Sequence, residues 1–194
     1  MDADPATRPV RASEQEPAAK GEDVRIPAVE AWQQAADGGA VARAAAESRG
    51  TGPAWTPASA ALPSALREQL VAWCRAGLPN EACGLLVGDR FAEDGGIPTR
   101  FIGLRNAAAS PYRYLIDPDE QLGVMLAIDD ADEVVWGIVH SHVASPPAPS
   151  ATDVGLAAYP DAVYLICSLA TEPPQLRAWT IRDGAVGEVV LEPR

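Results

Sequence analysis

The chain carries two histidines, His140 and His142, two positions apart in the stretch EVVWGIVHSH. On an extended strand, residues i and i+2 point to the same face, so both imidazoles can reach one cation at a Zn–N distance of about 2.0–2.1 Å. The same pair at a strand end also serves as surface or capping histidines, and the HxH spacing alone leaves both readings open. A catalytic zinc takes three protein ligands and keeps one position open, so a third donor is needed. Asp153 is the next candidate, in Ser150-Ala151-Thr152-Asp153, after a seven-residue connection rich in proline. By itself that quartet reads as a capping box, with Ser150 as N-cap and Asp153 reaching back. The two readings are compatible. A carboxylate in a helix's first turn is held by the helix end and can face the strand terminus the chain has just left, and prolines restrict the connecting loop beforehand. Other HxH metal sites fail on these residues: a cupin needs a Glu shortly after the second His, where Pro146 and Pro147 stand, and a further His. The HxHxDH pattern fails at Val143, Ala144 and Ser145. A site of two His and one Asp survives.

The elements that must position these groups are legible from residue 61 onward. Pro63-Ser64 reads as a helix start capped by the Ser hydroxyl, with Leu66, Leu70, Val71 and Cys74 on one face and Gly77 ending it. Cys83 to Val87 reads as a buried strand, and residues 99–107 and 112–116 as strands broken by Pro111. Asp117-Pro118 opens a second helix that is expected to carry Leu122, Met125 and Leu126 inward. Glu133 to His142 is a buried strand ending in polar residues, and Ser150 to Tyr159 a third helix. Ala162 to Leu169 and Gln175 to Arg182 are strands, with Asp183-Gly184 as a hairpin turn into Val186 to Leu191. Strands and helices mix without strict βαβ alternation, which predicts an α+β class: a mixed β-sheet flanked by a few helices.

Residues 1–60 differ in composition: rich in Ala, Pro, Gly and charge, with no Leu and no Phe. Such a stretch buries too little apolar surface to offset its ordering entropy and is expected to be a flexible tail, leaving 61–194 as the domain. The whole chain of 194 residues has 27 acidic against 15 basic side chains, a formal charge of −12. That balance argues against nucleic acid and against an anionic membrane surface as partners. No apolar run approaches a membrane span, and MDADPATRPV lacks the basic and apolar regions of a secretory signal. The three cysteines form no CxxC pair, which fits a reducing cytoplasm. Cys83, Trp136, Tyr164 and Trp179 are expected in the core.

His140-Ser141-His142, seven residues, then Ser150-x-x-Asp153 resembles H-[ST]-H-x7-S-x-x-D, the signature of the JAMM (JAB1/MPN+) zinc metallopeptidases. Glu81, in PNEACGLLVG, matches the family's Glu near an early strand, and Trp136-Gly137 before the histidines also looks like the family. The resemblance covers roughly residues 62–194 and, within the family, is greatest to bacterial sulfur-carrier-protein–cysteine peptidases. It implies the JAMM/MPN (cytidine-deaminase-like) fold and one Zn2+ per chain, ligated by His140, His142 and Asp153. It also implies Glu81 as general base and Ser150 as oxyanion donor. The partner it implies is a small ubiquitin-like sulfur carrier ending in Gly-Gly, cleaved at its C-terminal glycine, with cysteine as the leaving group. Val143 departs from the Pro that many relatives carry there, which touches loop shape and not the ligands. Two other functions stay open at this level: a deconjugating protease that removes a ubiquitin-like tag from proteins, and a non-catalytic MPN interaction module.

Overall fold

The computed structural model describes residues 59–194. Most of the expected flexible tail therefore lies outside the described residues. The first described strand, β1 (Ser59–Leu62), begins just ahead of the compositional change and pairs in parallel with β7 (Ala185–Pro193). Helix α1 (Ser64–Ala76) follows immediately. Its first turn is not capped by the Ser64 hydroxyl as expected; Pro63 occupies the N-cap position and the Ser64 N–H donates to the Arg194 carbonyl at 2.7 Å.

The remaining strands are β2 (Cys83–Gly88), β3 (Pro98–Leu104), β4 (Val134–His142), β5 (Val163–Ser168) and β6 (Gln175–Arg182). With β1 and β7 they form one seven-stranded sheet in the order β1-β7-β6-β5-β4-β2-β3. The β4–β5 and β1–β7 pairs are parallel and the others antiparallel, so the predicted mixed sheet of an α+β fold is what forms. The central strands β2, β4 and β5 are buried along nearly their whole length, because both faces of the sheet are covered. On one face α1 packs through Leu70 and Cys74 against Leu86, Trp136, Val139, Leu165 and Cys167. On the other lie Cys83, Leu85, Ile138 and Tyr164 with Ile128 of α2 (Pro118–Asp130). Gly137 lets β4 approach β5 closely, since a Cβ there would stand 2.9 Å from the Val163 carbonyl oxygen. Asp183 and Gly184, both at positive φ, make the expected hairpin turn.

Three local expectations are corrected. Residues 112–116 are not a strand: their segment meets the sheet's end only through an isolated bridge between Asn106 and Ile116, because the Asn106 side chain folds the chain into a loop. The third helix, α3, covers only Ala151–Leu156. On α2, Leu122 and Leu126 face outward, and Gln121 and Ile128 are the buried positions. Asp117 caps α2 by accepting from the N–H groups of Asp119 and Glu120, and Pro118 follows at the first helical position, so the helix phase is fixed at its start.

Candidate metal centre

β4 delivers His140 and His142 at its end, on the sheet face shared with α2, and both are buried. The chain then loops through Pro146 and Pro147 into α3, whose first turn carries Asp153. This loop is anchored at three points: His142 Nδ1 donates to the Pro146 carbonyl (2.7 Å), Trp179 Nε1 to the Pro147 carbonyl (3.0 Å), and Ser168 Oγ to the Ser145 carbonyl (2.6 Å). Asp153 completes the capping box with Ser150: the Ser150 N–H donates to Asp153 Oδ2 at 2.7 Å, and the Asp153 N–H donates to Ser150 Oγ at 3.2 Å. The capping reading of the quartet thus holds, and the same carboxylate faces the histidines.

The three side chains converge. His140 Nε2 lies 3.2 Å from His142 Nε2 and 3.4 Å from Asp153 Oδ1, while His142 Nε2 lies 3.5 Å from Asp153 Oδ2. A tetrahedral ion with ligands at about 2.0–2.1 Å holds them about 3.3–3.4 Å apart, close to the spacing between the two imidazoles and from each imidazole to one oxygen of Asp153. The donor set of two imidazoles and a carboxylate is a zinc-type set. A carbonyl can only accept, so the bond to Pro146 puts the His142 proton on Nδ1 and leaves the Nε2 lone pair, in the neutral ring, facing the cluster. His140 and His142 with Asp153 are the group of side chains among the described residues that could hold a metal ion.

Electrostatics follow from burial and mutual contact. Burial pushes His140 below its usual pKa, favouring the neutral ring that a metal requires. Burial acts the same way on His142, but Asp153, the Pro146 carbonyl and Glu81 outweigh it and raise its pKa. Burial alone would raise Asp153, but the two imidazoles beside it and the Ser150 N–H outweigh that and hold the carboxyl well below the carboxylate range.

Glu81 precedes β2 and continues its register. Cys83 lies opposite His140, and the Ser141 N–H donates to the Ala82 carbonyl at 2.9 Å, which puts Glu81 across from His142 and on the same face. Ser141, pointing the other way, accepts from the Ala82 N–H through its hydroxyl at 2.8 Å, so it braces the segment that carries Glu81. Glu81 is buried, and that burial raises its pKa to about 7 against a partly opposing pull from His142. Cys83 shares the face but is a core thiol: it is fully buried, its Sγ donates to the Leu104 carbonyl, and burial lifts it to about 12.

Two neighbours carried no sequence signal for the site. Tyr114 stacks on His140 with ring centroids 4.6 Å apart, and Asn106 donates to the Glu81 carbonyl at 2.8 Å. Both come from the segment between β3 and α2, far from either motif in sequence. Asn106, next to a predicted strand end and followed by small residues, carries a turn-former signal but none for the site.

A seven-stranded mixed sheet presents two histidines at one strand end to an aspartate on the next helix, a group that could hold a metal ion. Comparison with known proteins narrows this. A sequence model of the prokaryotic homologs of the JAB domain matches residues 63–182. The chain is 47% identical over 122 residues to CysO-cysteine peptidase of Mycobacterium tuberculosis, covering 61% of this chain and 80% of that one. It is 39% identical over 107 residues to a desampylase of Haloferax volcanii, covering 53% of this chain and 75% of the relative. Among solved structures, a protein from Desulfitobacterium hafniense superposes with a TM-score of 0.62 at 37% identity, covering 69% of this chain and 92% of that one. The chain belongs to the JAB1/MPN+ (JAMM) family, and it is a hydrolase of the peptidase class.

Proposed function

We propose that this chain is a zinc-dependent amide hydrolase acting at the C-terminal glycine of a small ubiquitin-like sulfur carrier, with cysteine as the leaving group. The observation that carries the metal assignment is the mutual spacing of His140 Nε2, His142 Nε2 and the Asp153 carboxylate, 3.2–3.5 Å. Those three side chains are the ligands in this reading. A zinc ion bound there supplies a Lewis acid that polarises the scissile carbonyl and lowers the pKa of water toward about 7. Glu81, opposite His142, is the proton shuttle: it accepts a proton as the attacking water adds and returns it to the leaving amine. Ser150 Oγ accepts from the Asp153 N–H, which leaves its own proton to donate to the oxyanion that develops at the carbonyl.

The small leaving group is supported by the segment between β2 and β3. It runs only from residue 89 to 97 and is pinned inward: Trp136 Nε1 donates to the Gly96 carbonyl at 2.9 Å, and Glu93 pairs with Arg182 at 2.9 Å. Nothing projects there to grip a second folded protein. The 47% identity to a CysO-cysteine peptidase supports the same choice. The similarity to a desampylase favours a second reading, removal of a ubiquitin-like tag from proteins. No helix among the described residues is long and apolar enough to cross a membrane.

The test is hydrolysis of a carrier–cysteine conjugate beside a carrier–protein conjugate, followed by mass spectrometry. The parental protein is expected to release cysteine. Glu81→Gln is expected to lose at least about 100-fold in rate while binding about one zinc per chain, because the proton transfer is lost and the ligands are not. Parental turnover by Glu81→Gln overturns the mechanism; preferential cleavage of the protein conjugate favours the second reading.

A further inference from the structure

Glu81 lies ahead of β2, outside the regular strand, yet its main chain is fastened on both sides. Its N–H donates to the Ser110 carbonyl at 2.9 Å, and its carbonyl accepts from Asn106 Nδ2 at 2.8 Å. Both partners belong to the segment that joins β3 to α2. Asn106 spends its whole carboxamide there. Nδ2 also donates to the Arg113 carbonyl (3.2 Å), and Oδ1 accepts from the N–H groups of Ala108 and Leu115, each at 3.0 Å. Two donors and two acceptor sites are all filled. A main-chain bond from the Ala107 N–H to the Leu115 carbonyl at 2.7 Å closes the neck of the loop. From that closed loop the Ser110 carbonyl reaches Glu81, and the Tyr114 ring lies over His140 at an interplanar angle of 22°.

We propose that Asn106 is a positioning residue for the reaction: its amide binds the loop to the main chain of Glu81, so that the carboxylate stands opposite His142 while Tyr114 backs His140. This rests on the reading of Glu81 as the proton shuttle. The two halves of the amide have separate tasks. The oxygen closes the loop on itself; the nitrogen grips Glu81. Asn106→Asp keeps the acceptor bonds to Ala108 and Leu115 and loses the donor bonds to Glu81 and Arg113. Asn106→Ala loses all four and adds no charge.

The experiment compares parental protein, Asn106→Asp, Asn106→Ala and Glu81→Gln for kcat, KM, bound zinc and Tm on the carrier–cysteine conjugate. Amide hydrogen exchange at Glu81 and Leu85 is read on the same proteins. A misplaced catalytic group costs up to about 100-fold in rate. Both Asn106 variants are therefore expected to lose about 10–100-fold in kcat, with KM within about 3-fold and zinc content at the parental level. Asn106→Asp is expected to keep the higher Tm of the two, and exchange at Glu81 to quicken while Leu85, inside β2, stays protected. A role confined to stability would instead make the rate loss follow the Tm loss. Parental kcat in Asn106→Asp with unchanged exchange at Glu81 overturns the inference even where Glu81→Gln is inactive. Should Glu81→Gln stay active, the reading of Glu81 fails, and exchange at Glu81 alone decides whether Asn106 holds its main chain.

Discussion

Burial, more than any single neighbour, sets the acid–base character of Glu81. Its pKa in the folded chain, about 7, stands above the ordinary 4.5 of a glutamate. The linkage has a definite sign. The folded state holds the proton more tightly than the unfolded state, so the contribution to stability is complete below pH 4.5 and is lost as pH rises through about 7. Glu81→Gln cannot ionise. In chelator-treated protein, urea midpoints are therefore expected to favour the variant over the parent more at pH 8.5 than at pH 5; a gap that stays constant or narrows with pH contradicts the assignment. The convergence of His140, His142 and Asp153 was legible at this scale because their geometry is local: period two on a strand aligns His140 and His142, and a helix's first turn holds Asp153. Asn106 and Tyr114 were not, because they reach the site through a loop closure that no short-range pattern encodes. Nor could the sequence show the raised pKa of Glu81, since burial is a property of the folded chain and not of the residues beside it in sequence.

At the scale of elements, turn and cap signals were the most readable. Asp117-Pro118 starts α2, Ser150 starts α3 and Asp183-Gly184 turns the hairpin, each by chemistry confined to a few residues. Faces were harder. On α2 hydrophobicity alone pointed to Leu122, Met125 and Leu126 as the inner positions; Met125 does pack against the core beside Val124, but the sheet selects Gln121 and Ile128 in place of the two leucines. Apolar residues lie all round this helix, so composition does not choose a side. The difference is measurable. Ile128→Ala is expected to cost about 2–5 kcal/mol, as for a buried aliphatic truncation, whereas Leu126→Ala stays within about 0.5 kcal/mol. Denaturant unfolding of the two variants checks it, and comparable losses would show that α2 presents a different face. The segment 112–116 misled for a related reason: two tyrosines, Leu115 and Ile116 suit a strand, but the Asn106 amide takes the backbone groups a ladder would need.

For the whole molecule, the sheet order decides what meets. Placing β4 between β2 and β5 brings Glu81 across from His142 on one side, and on the other lets Ser168 at the end of β5 fasten the loop that leads to Asp153. The mixed-sheet class could be read from the irregular alternation of strands and helices. The parallel pairing of β1 with β7 could not, because it joins the two ends of the described chain and β1 is only four residues long. The account rests on three side chains from β4 and α3 sharing one ion. Anomalous diffraction at the zinc edge, on crystals grown with equimolar zinc, tests this most directly. One peak per chain is expected, about 2.0–2.2 Å from His140 Nε2, His142 Nε2 and an Asp153 carboxylate oxygen. A peak bound elsewhere, or no peak at these three atoms, would contradict it.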